Sequence, residues 1–239
     1  MRRSRPPAPT PVPFSPHAAR EHRVLLGLTT DQVAHALAAH GVRLLPTHVA
    51  GWENGEIRPT EDELIALGRA LWCPAAELMG TTPVALRDFR VARELTQQQA
   101  ASRIGMGLRG YAAAELSGRW TGDPEQSAAL CEALEVSLRD LVRLQGADAE
   151  LEQRVRQCLD GRWQAQLKPV SRLLPVPADT LAGVLAALQN ERQATSGHWG
   201  TGNWGGPAPA TGQATEAGAS PVDRFWSLLA RRYRGALKV

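Results

Sequence analysis

Apolar positions along this chain recur at the three-to-four-residue spacing of an amphipathic helix, and the strand-type alternation of apolar and polar residues does not occur. Start and stop signals punctuate that spacing. TTDQVAHALAAHG has Thr29 or Thr30 as its cap and Gly41 as its stop. PTEDELIALGRAL has Thr60 as a cap with Glu63 three residues on, which is a capping box. TQQQAASRIG runs from Thr96 to Gly105, and DPEQSAALCEAL has Asp123 as its cap and Pro124 at the first helical position. ADAELEQRVRQCLDGRWQAQL and PADTLAGVLAALQNERQA predict two further amphipathic helices. A last one is predicted over 221–235, with Pro221 and Asp223 in its first turn. The expected fold class is all-α.

Between and around these helices the composition shifts. Residues 1–16 hold Pro6, Pro7, Pro9, Pro11, Pro13 and Pro16, a density that predicts a disordered or extended arm. Residues 196–220, rich in Gly, Ala, Thr and Pro, predict a flexible linker. An internal repeat organises the rest. Leu28 to Ala34 (LTTDQVA) matches Leu95 to Ala101 (LTQQQAA) at an offset of 67, and Leu37 then pairs with Ile104. Ala70-Leu71 and Glu77-Leu78 match Ala133-Leu134 and Asp140-Leu141 at an offset of 63. Two tandem helical domains are therefore expected over 17–80 and 84–145, followed by a helical extension over 147–195, the linker, and a C-terminal amphipathic helix within 221–239.

Each copy has the form L-T-x-x-x-(V/A)-A-x-x-(L/I), then a glycine, a short helix ending in Glu, and a closing helix that contains or follows a proline. In copy one the run Trp52 to Pro59 reads WENGEIRP, and LTTDQVAHAL and LIALGRAL flank it. In copy two the corresponding stretch is LTQQQAASRIGMGLRGYAAAELSGRW, closed by DPEQSAALCEALEVSLRDL. With these motifs the chain resembles the Cro/repressor-type helix-turn-helix regulators of the Xre family over about 120 of its 239 residues. The resemblance implies two tandem helix-turn-helix bundles, with the third helix of a copy entering a major groove and the start of the second helix meeting a phosphate. Carried over by position, copy one offers Thr30 at the start of helix two and Pro46, Thr47, His48 and Ala50 on helix three. Copy two offers Gln97 at the start of helix two and Leu108, Arg109 and Ala112 on helix three. Arg109 can form a bidentate pair with guanine, and Gln97 can reach a phosphate or an adenine.

Other features of the motif are structural. Ala34 and Ala101 let helix three cross closely, Gly41 and Gly105 supply turns, and Trp52, Leu37, Leu64, Leu67 and Leu71 are core candidates. Glu53 and Glu115 are expected to satisfy backbone or Arg partners at the end of helix three. The copies also depart from the family pattern. Copy one has about five extra residues around Ala38–Leu45, and copy two has Ala114 in place of Trp52, with Gly107 and Gly110 weakening its third helix.

Charge divides the copies more sharply than it describes the whole. The chain carries 27 basic and 24 acidic residues, net +3. Residues 1–23 are at +4, with Arg2, Arg3 and Arg5 in the arm, 24–80 at −4, 81–145 and 146–195 balanced, and 221–239 at +4. Phosphate repels a domain at −4, so copy two, with Arg87, Arg90, Arg93, Arg103 and Arg109, is the better candidate for DNA.

Three cysteines far apart (Cys73, Cys131 and Cys158) offer no disulfide framework or zinc-type pair, and His35 and His40, five apart, do not share a helix face. No metal and no cofactor are expected. With no long apolar run and no signal-type apolar core, the expectation is a cytoplasmic protein without a membrane partner. No nucleophile elbow, zinc-protease helix, P-loop or dinucleotide fingerprint is present, so a non-enzyme is expected. The expected function is a sequence-specific DNA-binding transcriptional regulator with double-stranded DNA as its partner. Homodimerisation is expected through Leu151, Val155, Leu159, Leu181, Leu185 and Leu188. The alternative is an adaptor of the transcription machinery that keeps the fold without reading DNA.

Overall fold

The computed structural model describes residues 11–197, 220–233 and 238–239. Within them the chain is all-helical: α1 (Pro16–Leu25), α2 (Thr30–Ala39), α3 (Pro46–Glu53), α4 (Glu61–Ala70), α5 (Ala75–Met79), α6 (Leu86–Ala92), α7 (Gln97–Ile104), α8 (Leu108–Ser117), α9 (Pro124–Leu134), α10 (Leu138–Gln145), α11 (Asp148–Asp160), α12 (Trp163–Leu173), α13 (Ala178–Gly197) and α14 (Pro221–Arg232). Among the described residues no helix is long and apolar enough to cross a membrane.

Local chemistry accounts for the helix boundaries. The Thr29, Thr60, Thr96 and Asp123 side chains each accept a hydrogen bond from the backbone N–H three residues on, and the N3 side chain returns the bond, closing four capping boxes. Gly105 ends α7 in the left-handed region at φ +71°, and Gly41 turns the chain after α2 at φ +83°. The repeat reaches into the backbone as well. Gly27 and Glu94, 67 apart, both have positive φ (66° and 54°), and so do Trp72 and Glu135, 63 apart (55° and 52°).

The chain divides into two compact units, Met1–Trp120 with α1–α8 and Thr121–Val239 with α9–α14. The division falls inside the span 84–145 expected as one domain. In the first unit Leu37, Trp52, Leu64, Leu67 and Leu71 are all at most 2% exposed, as their spacing predicts. Burying each such side chain contributes about 1.5–3 kcal/mol.

The arm expected to be disordered or extended over 1–16 packs on the core from residue 11 on. Val12 and Phe14 are buried in this core, and Ser15 donates its N–H to the Leu78 carbonyl at 2.8 Å. The proline run forbids a helix there but leaves an extended segment whose two apolar side chains reach the core. Residues 1–10, with Arg2, Arg3 and Arg5, lie outside the described residues.

In the second unit α11, α12, α13 and α14 pack on one another. Leu151, Val155, Leu181, Leu185 and Leu188 are at most 3% exposed, and α14 adds Phe225, Trp226, Leu228 and Leu229 to the buried set. This corrects the expectation of a dimer seam at these five residues, because one chain already buries them; Leu159, the sixth residue of that seam, is half-buried. Two boundaries also differ from the sequence expectation. Gly161 splits the predicted helix after Asp160 into α11 and α12, and α13 runs through Gly197, past the expected start of the linker at 196. The rest of the linker, with Trp199 and Trp204, lies outside the described residues.

Candidate nucleic-acid interface

The geometry that matters is the approach of each second helix to its third. In copy two, α7 and α8 pack together across a three-residue connection, Gly105 to Gly107. Gly107 is the N-cap of α8, with extended backbone (φ −67°, ψ 143°), so it does not weaken the helix interior as its sequence position suggested; only Gly110 lies inside α8. Tyr111 and Ala114 are buried. Leu108 and Arg109 are exposed and Ala112 is half-buried, so these three candidates share the outward part of α8. The same exposed face carries Leu116, 84% exposed, alongside Leu108 at 42%.

In copy one, α2 and α3 pack across a longer connection, residues 40–45. Thr30 opens α2 behind the Thr29 cap, and Pro46 opens α3 with no side-chain cap. Thr47 and His48 are exposed, Ala50 is half-buried, and Val49 and Trp52 are buried.

Both third helices end on an ion pair that locks them to the helix at the start of their copy. Glu53 is 8% exposed and accepts from Arg23 Nε at 2.6 Å and Nη2 at 2.8 Å, while Arg23 Nη1 donates to the Leu28 carbonyl at 2.8 Å. Glu115 accepts from Arg90 Nε at 2.6 Å and Nη2 at 3.1 Å, while Arg90 Nη1 donates to the Leu95 carbonyl at 2.9 Å. Arg23 and Arg90 stand 67 residues apart, as do Leu28 and Leu95, so the repeat preserves a bidentate clasp together with its backbone anchor. The expected structural role of Glu53 and Glu115 holds. Sequence spacing did not name their arginine partners; the shared offset of 67 was the signal available.

That clasp and Glu61 together remove two of the cations counted toward DNA. Arg90 is 2% exposed, and its Nη2 also donates to Glu61 at 2.7 Å; Arg87 pairs with Glu61 as well. Burial works to raise the Glu61 carboxyl, but the hydrogen bonds and charges of Arg90 and Arg87 outweigh it and hold the group below its usual range. Gln97, expected to face a phosphate or an adenine, donates its amide to Glu115 at 2.7 Å. Arg93, Arg103 and Arg109 remain exposed.

Chemistry of other kinds is sparse. Burial pushes the thiols of Cys131 and Cys158 up to about 12 and about 11, aided at Cys131 by Asp140, so neither is a poised nucleophile. A cavity of about 300 Å³ in the second unit is lined by charges of both signs, among them Arg139, Asp148, Glu152 and Asp223, and Arg139 lies over the Trp226 ring at 5.4 Å. His35 and His40 are exposed. One constellation is not visible in the spacing of the sequence: His22, Cys73 and Glu77 converge in the first unit, although Cys73 stands 51 positions after His22. Burial, then Glu77 and Glu94, push the Cys73 thiol up to about 11.

Comparison of the chain with protein-family models, with curated proteins and with solved structures finds no match.

Proposed function

We propose that this protein is a cytoplasmic, sequence-specific DNA-binding transcriptional regulator built on two tandem helix-turn-helix units, and that α8 is its major-groove reader. The observation that carries this reading is the tight α7–α8 pair. A three-residue connection with Gly105 in the left-handed region joins two packed helices, and the first turn of the second presents Leu108 and Arg109 outward. In this reading Arg109 donates both arms of its guanidinium to a guanine, Ala112 contacts a thymine methyl, and Arg103 contacts a phosphate. Gln97 acts indirectly, by holding Glu115 and so the pose of α8. Copy one, with its longer connection and net −4, serves as a scaffold more than as a reader, and Thr47 and His48 are its candidate backbone contacts.

Selection from a random duplex pool with the full chain tests this. A consensus should emerge, and Arg109→Ala should weaken its binding by about 1–3 kcal/mol and relax the choice of base at one position. Binding should also weaken steeply with salt. A pool that enriches no sequence, together with a flat salt dependence, refutes the proposal.

A second reading, an adaptor that docks a protein on the same helix, is favoured by one observation. Leu108 and Leu116 make the outward face of α8 more apolar than a phosphate-flanked helix requires. Under that reading Leu116→Asp abolishes capture of a transcription-machinery subunit while Arg109→Ala leaves it intact.

A further inference from the structure

We propose that His22, Cys73 and Glu77 form a three-ligand site for a divalent transition-metal cation of the zinc type. The three residues come from different elements of the first unit: the last turn of α1, the bend between α4 and α5, and α5 itself. Packing of α1 and α4 on α5 brings them together. One donor atom from each lies within 4.8 Å of the others, and His22 Nε2 is 3.2 Å from a Glu77 carboxylate oxygen. Around a tetrahedral zinc with bonds of about 2.0–2.3 Å, neighbouring donors sit roughly 3.3–3.7 Å apart. The imidazole and carboxylate are therefore almost in place, and the sulfur needs to close by roughly 1.5 Å at most. Among the described residues this is the one place where three such donors converge.

The internal repeat supplies the argument that these donors are more than packing. At the established offsets of 67 and 63, the equivalents of His22, Cys73 and Glu77 in copy two are Phe89, Val136 and Asp140. Phe89 and Val136 are buried, at 6% and 0% exposure. At these two positions copy two therefore carries buried hydrocarbon side chains. Copy one instead holds an imidazole and a thiol, the two side chains that zinc-type ions prefer. Access is graded: Cys73 is 8% exposed, while the His22 and Glu77 side chains are 27% and 53% exposed. Three protein ligands with one open side leave a fourth position for water or for an incoming donor, unlike a closed structural zinc site.

Cobalt(II) titration of the full chain, purified free of metal, tests the proposal. One equivalent should bind with a near-ultraviolet thiolate-to-cobalt charge-transfer band and intense tetrahedral visible bands, and zinc(II) should displace it. The double variant His22→Phe with Cys73→Val installs the residues of copy two. It should keep the helical circular-dichroism signal and lose the charge-transfer band, with affinity falling at least tenfold. Glu77→Gln, at an exposed position that does not threaten folding, should weaken binding by about tenfold while retaining the band. The proposal is overturned if folded protein shows no charge-transfer band, if the band survives Cys73→Ser, or if Glu77→Gln leaves the affinity unchanged.

Discussion

Arg90 is the residue whose removal most directly tests the structural logic of the first unit. Its guanidinium is 2% exposed, clasps a Glu115 side chain that is 5% exposed, and reaches Glu61 and the Leu95 carbonyl with its remaining arms. Arg90→Leu removes the cation and leaves Glu115 buried with the Gln97 amide beside it. Desolvation of an uncompensated carboxylate dominates the cost, which for a broken buried pair is about 3–5 kcal/mol. That is a large share of the ~5–15 kcal/mol typical of a whole domain, and it corresponds to a fall in melting temperature of about 10–20 °C for a unit of this size. The double variant Arg90→Leu with Glu115→Leu removes both charges from the same place, and it should recover most of the loss. Thermal and urea melts followed by far-ultraviolet circular dichroism measure the shift. Hydrogen exchange at the α7 and α8 amides assigns it to the first unit. A single variant that melts within about 1 kcal/mol of the parent, or a double variant no better than the single, would refute the claim that this clasp holds α8.

Acid should loosen the same region. The folded-state Glu61 carboxyl lies below its ordinary value of 4.5, so its contribution is fully present above that pH and is lost as the pH falls through the depressed value. Urea midpoints across that range should drop, and Glu61→Gln should lower neutral stability while flattening the acid limb; an unchanged acid limb would contradict the assignment. In the second unit, Phe225→Ala at a fully buried position of α14 should cost about 3–5 kcal/mol in a urea melt, and a near-neutral effect would show that α14 does not complete the core.

The legible part of this molecule was local. Thr29, Thr60, Thr96 and Asp123 cap helices because a side-chain oxygen three residues from a backbone N–H satisfies it wherever the chain lies. Gly41 and Gly105 turn the chain for an equally local reason. Of the candidate site, the outward placement of Thr47, His48 and Arg109 followed from helical spacing, because Val49 and Trp52, and Tyr111 and Ala114, had to face the core. The inward turn of Gln97 did not follow, since a residue at a helix start has no apolar face to dictate its direction. Nor did the fate of the arginines: Arg87, Arg90, Arg103 and Arg109 count equally in a charge sum, yet the first two are spent on Glu61 and Glu115 and the last two are exposed.

By itself, then, the amino-acid sequence determined an all-helical chain with a repeated element at offsets of 67 and 63, because helix periodicity, capping and backbone sterics act over a few residues. Only the tertiary structure decided which charges meet and that Val12 and Phe14 enter the core. It alone buried Leu151, Leu181, Leu185 and Leu188 within one chain and brought His22 to Cys73 and Glu77. Those outcomes depend on contacts between residues tens of positions apart, where burial and pairing are set by how helices pack and not by the order of residues along any one of them.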